Sequence, residues 1–521
     1  MTARRALWGL VLISTLLRLL WAASLGPGYD ESYHFLFVVH PDLSYFDHPP
    51  MMALIEGAGW LLSGGAPSLL ALRAGFVLLF AGSTLLMARL AGRFYGPWAG
   101  FLAALILNVT AYYGVAASTF ILPDGPLLFF WLLTLDRLAA ALETPERLRL
   151  WVWAGLAWGG ALLSKYHAVL LPVGALLYIV TDPSSRSLLR KPGPYLAAAI
   201  GIVSFMPVIA WNYNHDWVSF AFQGGRALGS HGLRLDALAA AIGSQALYVL
   251  PWVWASLMTT LVRQVRRLRA GDASSQDRFL LCQTLPPLAV FLGVACLRPV
   301  LPHWSLVGLL SVIPMAGRDW ARRWPAWNRR LLVRVSIVTG IPVASAILFI
   351  IHAHTGILQR TSHGGLVGVA SDPSGMMYGW EAVASQLDMR AKDSPPGTFV
   401  FTSRWYYSGE LAFALHSSMP VLCYNVNHAQ NFAYWSRPEQ WVGHDGIFVG
   451  INDCKLELEY YARYFTKIEP LEDCVIRRHG IPIRTVHLYR CVRQVRPFPF
   501  GNTAEARTLA SSDTRAGVTT R

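Results

Sequence analysis

Long apolar blocks, broken by short polar stretches, follow one another from the N-terminus to about residue 353. Each has the length, about 17–25 residues, that crosses a hydrocarbon core as a helix. They fall near 6–25, 68–88, 98–116, 124–142, 150–164, 167–181, 194–211, 236–262, 279–297, 303–317 and 331–353. The pattern therefore predicts about eleven membrane spans. Gly96-Pro97, Lys191-Pro192-Gly193-Pro194 and the stretch from Ser311 to Pro314 punctuate the boundaries, as residues that end helices do. The first block has the look of a signal peptide, but it is long, contains Arg18, and no small-x-small site follows before Asp30. It reads as a retained span.

Beyond residue 354 the period changes. FVFT (399–402), PVLCY (420–424) and GIFVG (446–450) read as buried strands, and SGELAFALH (408–416) and ELEYYARYF (457–465) as amphipathic helices. The run 474–492 reads as a finish of two or three strands. The expected architecture is a polytopic α-helical membrane protein, 1–353, followed by a small extracytoplasmic α/β domain, 354–500. A Thr/Ser/Ala-rich tail, 501–521, is expected to be disordered.

Composition agrees. Only 14% of the residues are charged and 54% are hydrophobic, whereas a soluble chain carries about a quarter charged residues. The net charge of +14 invites a nucleic-acid partner. The cations nevertheless sit in short clusters between apolar runs and form no continuous basic face, so none is expected. Counting spans alternately puts Arg4/Arg5, Arg89/Arg93, Arg147/Arg149, Arg186/Arg190/Lys191, the 263–278 arginines and the 318–330 arginines on one side. That side is expected to be cytoplasmic, because Lys and Arg hold loops back from translocation. The opposite face then receives 26–67, 117–123, 165–167, 212–235, 298–303 and the C-terminal domain. Twenty Trp and twenty Tyr suit interfacial belts and saccharide surfaces equally. Cys423, Cys454, Cys474 and Cys491 fall in the outer domain, where two disulfides of unspecified pairing are an option.

The outer loops hold the candidate chemistry. The first contains Asp30, Glu31, Asp42, Asp47, His34, His40 and His48, and acid set directly after a span is expensive without a purpose. It suits general-base work on a hydroxyl. In LPDGP (122–126), Asp124 stands between prolines that restrict the backbone, and reads as a helix cap, a catalytic acid, or both. Lys165, with Tyr166 and His167, lies between two apolar runs. Its ammonium either snorkels to the surface or meets a lipid phosphate. WNYNHDWVSFAFQGGR (211–226) is aromatic and ends on Arg226, while LRPVLPHW (297–304) brings Arg298 and His303 to the same face. Both cations are candidates for neutralising a phosphate, with an interfacial role the alternative for His303. Neither HExxH nor CxxC nor a phosphate-binding loop occurs, so no metal signature is present. Asp30, Asp47 and His48 leave a divalent ion only a weak option. His352, His354 and His363 lack an evident carboxylate partner.

Asp30-Glu31, YFDHPPMMALI (45–55), Arg73, LPDGPLLFFWLL (122–133), GLAWGGALLSKYHAVLL (155–171) and PVIAWNYNHDWVSFAFQ (207–223) together resemble bacterial GT-C glycosyltransferases. The relevant branch comprises the protein mannosyltransferases and the lipid A aminoarabinose and galacturonic acid transferases, families 39 and 83. The resemblance runs in order over about residues 7–320, and FDHPP and LSKY are its most specific phrases. It implies a transferase in the bacterial inner membrane, taking a polyprenyl-phosphate-linked sugar to a hydroxyl of lipid A, another envelope glycan or a protein at the periplasmic face. It implies Asp30 as the acid that activates the acceptor, Asp124 as a second acid, and Lys165 as a phosphate or carboxylate contact. Glu31, Asp47, His48, Tyr166, His167, Arg226, Arg298 and His303 join them as candidate substrate contacts. One departure stands out: the aminoarabinose enzymes carry a Lys where this chain has Asp47-His48. A direct displacement would invert the anomeric centre. A flippase or transporter of lipid-linked sugars is the rival reading, although transporters show internal repeats and this chain shows none. A lipid-linked glycan polymerase or ligase is the nearer one.

Overall fold

The computed structural model describes residues 2–228, 232–323, 329–359, 372–451 and 454–500. The chain forms two compact units. One comprises Met1–Ala23 and Asp42–Ser345; the other joins Ser24–Pro41 to the chain from Ala346 onward. The chain passes from the first unit to the second at 345/346, and residues 24–41, the start of the loop after the first expected span, belong to the second unit. The expectation for the 501–521 tail lies outside the described residues.

The first unit is helical. Five helices, counting one that runs on into the second unit, are long and apolar enough to span a bilayer: Ala3–Ser24, Leu69–Tyr95, Asp124–Glu143, Ser275–Ala295 and Ser336–Thr355. Three bent pairs raise the number to as many as eight, and Leu148–Ser164 and Tyr166–Thr181 occupy the positions of two further expected spans. The expected 236–262 span is not one straight helix. It breaks into Leu235–Val249 and Pro251–Arg269 with a bend of 113°. Leu250 at the break has φ 73°, and the following Pro lacks the N–H that would continue the ladder. The 98–116 block bends by 81° between Pro97–Val109 and Tyr112–Thr119, and the second piece opens as a π-helical turn, Tyr112–Ala116. Such turns concentrate at functional sites.

The basic loops expected on one side are tied to each other by ion pairs. Arg93 meets Glu143 at 2.6 Å, Arg89 meets Asp136 at 3.2 Å, and Lys191 pairs with Glu146. Arg278 meets Asp182 at 2.8 Å, Arg318 meets Asp277 at 2.5 Å, and Arg263 meets Asp319 at 2.7 Å. Five loops far apart in sequence therefore share one end of the unit. Glu143 closes a helix that opens on Asp124, so Asp124 lies about 30 Å from that end at 1.5 Å rise per residue.

The second unit is a mixed sheet covered by helices. Strand β1 (Phe399–Thr402) pairs in parallel with β2 (Val421–Cys423) and β3 (Gly446–Ile451). The long β6 (Ile481–Gln494) lies antiparallel to β3, and also pairs with β4 (Phe465–Pro470) and β5 (Cys474–Arg478). The expected strands are all present, and β4 is an addition, of which only Phe465 had read as the end of a helix. All six cysteines are free thiols. The disulfide option in this unit is not taken: in the sheet Cys474 stands opposite Val486, while Cys491 stands between Gly446 and Ile468.

The short helix Tyr29–Val39 is built into this second unit. Tyr33 is fully buried, its ring packed on Trp405 at 4.8 Å and Trp435 at 6.0 Å. Its hydroxyl accepts from Asn431 Nδ2 at 2.6 Å. The helix Trp405–Leu415 approaches so closely that a Cβ on Gly409 would lie 3.0 Å from the Tyr33 backbone.

Candidate active site

In the first unit the chemistry gathers on Asp124. Pro123 caps Asp124–Glu143, leaving Asp124 as the first helical residue, and its carboxylate caps no backbone N–H. Instead Oδ1 accepts from Lys165 Nζ at 2.7 Å and from the Tyr112 hydroxyl at 2.5 Å. Of the sequence alternatives, the structure uses neither the cap for Asp124 nor snorkelling for Lys165. Lys165 caps Leu148–Ser164 in extended conformation, so its side chain leaves the helix where the apolar run ends. Both residues are largely buried, at 5% and 8% exposure, and an ammonium there is stable only when paired.

Tyr112 is a site residue that sequence reasoning missed. It opens the π-helical turn, and the His303 ring stacks on it at 5.6 Å and 19°. His303 is thereby drawn into the Asp124 cluster. His167 follows Lys165 but points to aromatic neighbours, stacking on Phe291 at 4.6 Å with Trp304 edge-on at 6.1 Å. Its Nε2 is buried with no hydrogen-bond partner among the described residues. The Tyr166 ring meets Phe220 at 5.7 Å, and its hydroxyl faces Ser44, Asn212 and Ser219.

The later part of the loop that follows the first expected span, with Asp47 and His48, is pinned by the aromatic segment after Met206. Trp211 Nε1 donates to Asp42 Oδ2 at 2.8 Å, Ser219 Oγ to the Tyr45 carbonyl at 3.2 Å, and Gln223 Nε2 to the Asp47 carbonyl at 3.0 Å. Phe46 packs on Phe222 at 4.7 Å. Segments more than 150 residues apart by number thus form one preorganised wall. Arg226 lies on the helix Val218–Leu228, but its side chain falls outside the described residues. Arg298 Nη1 donates to the Gly225 carbonyl at 2.6 Å, so it braces that same helix.

Asp30 and Glu31 belong to the second unit, in the first turn of Tyr29–Val39. Their environments differ. Glu31 is buried and its Oε2 accepts from Gly28 N–H at 3.0 Å, which caps the helix. Asp30 is exposed on the adjoining position, carried by a helix that Tyr33 anchors. The reading of His352 needs correction. It does have a carboxylate partner, Asp372, at 3.1 Å, brought in by tertiary packing that sequence spacing does not reveal. His354 Nε2 meets the Ser24 carbonyl at 2.7 Å, and His363 lies outside the described residues. Among the described residues no group of three or more His, Cys, Asp or Glu side chains gathers closely enough to hold a metal.

Residues 47–211 match the family model described as dolichyl-phosphate-mannose-protein mannosyltransferase. The model takes in Asp47, His48, Tyr112, Asp124, Lys165, Tyr166 and His167, and stops short of Asp30 on one side and Arg226 on the other. The fold extends much further. The crystal structure of ArnT from Cupriavidus metallidurans bound to undecaprenyl phosphate superposes with a TM-score of 0.59, over 92% of this chain and 97% of that one, at 17% identity. This chain has the GT-C fold. The apo form of the same Cupriavidus protein gives a TM-score of 0.58 over 94% and 98% of the two chains, again at 17% identity. Among curated proteins, the lipid A galacturonosyltransferase RgtD of Rhizobium johnstonii is 24% identical over 324 residues, 61% of this GT-C chain. The chain spans 66% of that relative's length.

Proposed function

We propose that this protein is a glycosyltransferase that moves a sugar from a polyprenyl-phosphate donor to an acceptor hydroxyl. The Lys165–Asp124–Tyr112 cluster carries the reading. It is a buried, paired cation inside the family-matched segment, in a fold shared with a protein crystallised with undecaprenyl phosphate. Asp124 engages one of the three ammonium hydrogens of Lys165 and holds its charge in place. The remaining two are donors for the phosphate that departs with the polyprenyl chain. Charge that develops on a leaving phosphate is best met by donors already in position.

Asp30 is the proposed base. It takes the acceptor proton as the acceptor oxygen bonds to the anomeric carbon and the bond from that carbon to the donor phosphate oxygen breaks. The products are the glycoside, with inverted configuration, and polyprenyl phosphate. Asp47, His48 and Tyr166, held on the wall that Trp211 and Gln223 brace, are proposed to line the sugar subsite, with Arg298 and Arg226 beside it and His167 and His303 flanking Lys165. Glu31 contributes by fixing the helix that carries Asp30. The ion-paired basic loops support a cytoplasmic end opposite Asp124, and hence an inner-membrane protein whose C-terminal domain is periplasmic. The resemblance to RgtD favours lipid A or a similar envelope glycolipid as acceptor.

The test uses the purified protein in detergent with a panel of undecaprenyl-phosphate sugars and lipid A. Mass spectrometry is expected to show a sugar-sized mass gain on the acceptor, matched by released undecaprenyl phosphate. Movement of the lipid-linked sugar across vesicles without any covalent product would contradict the proposal and favour a flippase.

A further inference from the structure

A polar cavity is lined wholly by residues of the second unit. Its volume is 710 Å³, and its wall includes Tyr29, Gln359, Asp372, Tyr407, Arg478 and Arg484. Arg478 comes from the end of β5, and its exposure is only 1%. Its Nη1 donates to Asp372 Oδ2 at 3.2 Å and to Ser374 Oγ at 3.1 Å. Its Nε and Nη2 are buried with no hydrogen-bond partner among the described residues. Arg484, on β6, donates through Nη2 to the Gly375 carbonyl at 2.6 Å and lies over the Trp380 ring at 5.0 Å. Its Nη1 is likewise buried and without a hydrogen-bond partner among the described residues. Gln359, 3% exposed, has both amide atoms without a hydrogen-bond partner among the described residues.

Buried guanidinium hydrogens without acceptors are costly, since each forfeits the hydrogen bond that water supplied in the unfolded chain. Two arginines and an amide that line one cavity carry such groups. The one carboxylate on the wall does not satisfy them. Asp372 is itself largely engaged: Oδ1 takes His352, the Ser374 amide and the Ser374 hydroxyl, and Oδ2 takes Arg478. The surplus of donors calls for an oxyanion, and arginines suit phosphate and carboxylate alike. The cavity is large enough to take a saccharide bearing that group, and the phenols of Tyr29 and Tyr407 offer polar contacts for its hydroxyls. Tyr29 also fixes the location, because the next residue is Asp30.

We infer that the Arg478–Arg484–Gln359 cavity binds the phosphate or carboxylate of an anionic saccharide. That this saccharide is the acceptor's headgroup rests on the proposed transferase function; that the cavity binds an oxyanion does not.

The experiment reads binding alone. The full-length protein in detergent micelles is titrated calorimetrically with inorganic phosphate, glucosamine 6-phosphate, glucuronate and uncharged glucosamine. The three anions are expected to bind and glucosamine is not. A sugar phosphate binding at least tenfold more tightly than inorganic phosphate indicates a saccharide headgroup, while equal binding indicates a site for the free anion and overturns the saccharide assignment. Arg484→Gln, at the more exposed of the two arginines, is expected to weaken anion binding at least tenfold. Gln359→Ala provides a second variant without loss of charge, expected to weaken it severalfold. Anion binding unchanged in both variants, or no binding of any anion to the parent protein, would overturn the inference. Should binding behave as expected while no transfer is ever detected, the cavity stands and the transferase function falls.

Discussion

Lys165 Nζ stands 2.7 Å from Asp124 Oδ1, with the two side chains only 7% and 11% exposed. The pair joins the start of one helix to the end of another 41 residues on. Removing one partner of such a pair strands the other's charge and costs about 3–5 kcal/mol, whereas replacing both by apolar groups of similar volume is often nearly neutral. Lys165→Met is therefore expected to lower the thermal stability of the detergent-solubilised protein clearly. Asp124→Leu combined with Lys165→Met is expected to recover most of that loss. Transfer is expected to be absent in both, which separates the structural from the chemical role of the pair. Activity surviving in the stable double variant would remove Lys165 from the phosphate.

Gly409 tests the anchoring of the Asp30 helix. Its absent side chain lets Trp405–Leu415 reach the backbone of Tyr33. Backbone offers no soft atom to move aside, so Gly409→Val is expected to push the helices apart and cost about 1–3 kcal/mol, as overpacking does. A thermal melt of the full-length protein reads the loss. A melt identical to that of the parent would show that the close approach is not needed.

Glu410 supplies a pH dependence. It is 1% exposed, and burial holds its carboxyl well above the ordinary value of 4.5, with the neighbouring Glu31 carboxylate adding to the shift. The folded state thus keeps a proton that the unfolded chain releases. Stability from this group is complete below the unfolded value and falls as pH rises from there through the folded value. Glu410→Gln removes the titrating group. Melting temperatures measured from pH 5 to 8 are expected to decline less in the variant than in the parent. Parallel declines would assign the dependence to other groups.

The side assignment is open to chemical labelling. Arg190 is exposed in a basic loop, and Met389 is 60% exposed in the second unit. In a background without the six native cysteines, Met389→Cys is expected to react with a membrane-impermeant maleimide in cells whose inner membrane is intact. Arg190→Cys is expected to react only after that membrane is broken. The reverse pattern would invert the orientation.

The helical architecture and the strands of the second unit were legible because both rest on local periodicity: long apolar blocks in one, short alternating or continuous runs in the other. The cation clusters carried further information, since their alternation agrees with the ion pairs that gather them at one end of the first unit. What local pattern did not carry was tertiary. Tyr112 looked like one more aromatic in a span, because the π-helical turn that aims it at Asp124 has no marker beyond the adjoining Tyr-Tyr-Gly. Leu250 gave little sign of the 113° bend, since an apolar residue at positive φ leaves the hydropathy unchanged. The pairing of Glu31 with Gly28, which distinguishes it from Asp30, is a capping geometry visible only once the helix start is fixed. Arg478 and Arg484 read as ordinary strand cations until the sheet placed both on one cavity.

The central claim is that an exposed carboxylate on a rigid helix, Asp30, deprotonates the acceptor hydroxyl. General-base assistance contributes about 10²–10⁴ in rate. The direct measurement is the rate of sugar transfer from undecaprenyl-phosphate donors by Asp30→Asn, in protein shown by its melt and its membrane insertion to be intact. The proposed mechanism predicts a fall of about 10²–10⁴ in kcat with little change in donor affinity. Transfer at the parent rate by the folded, inserted variant would contradict it.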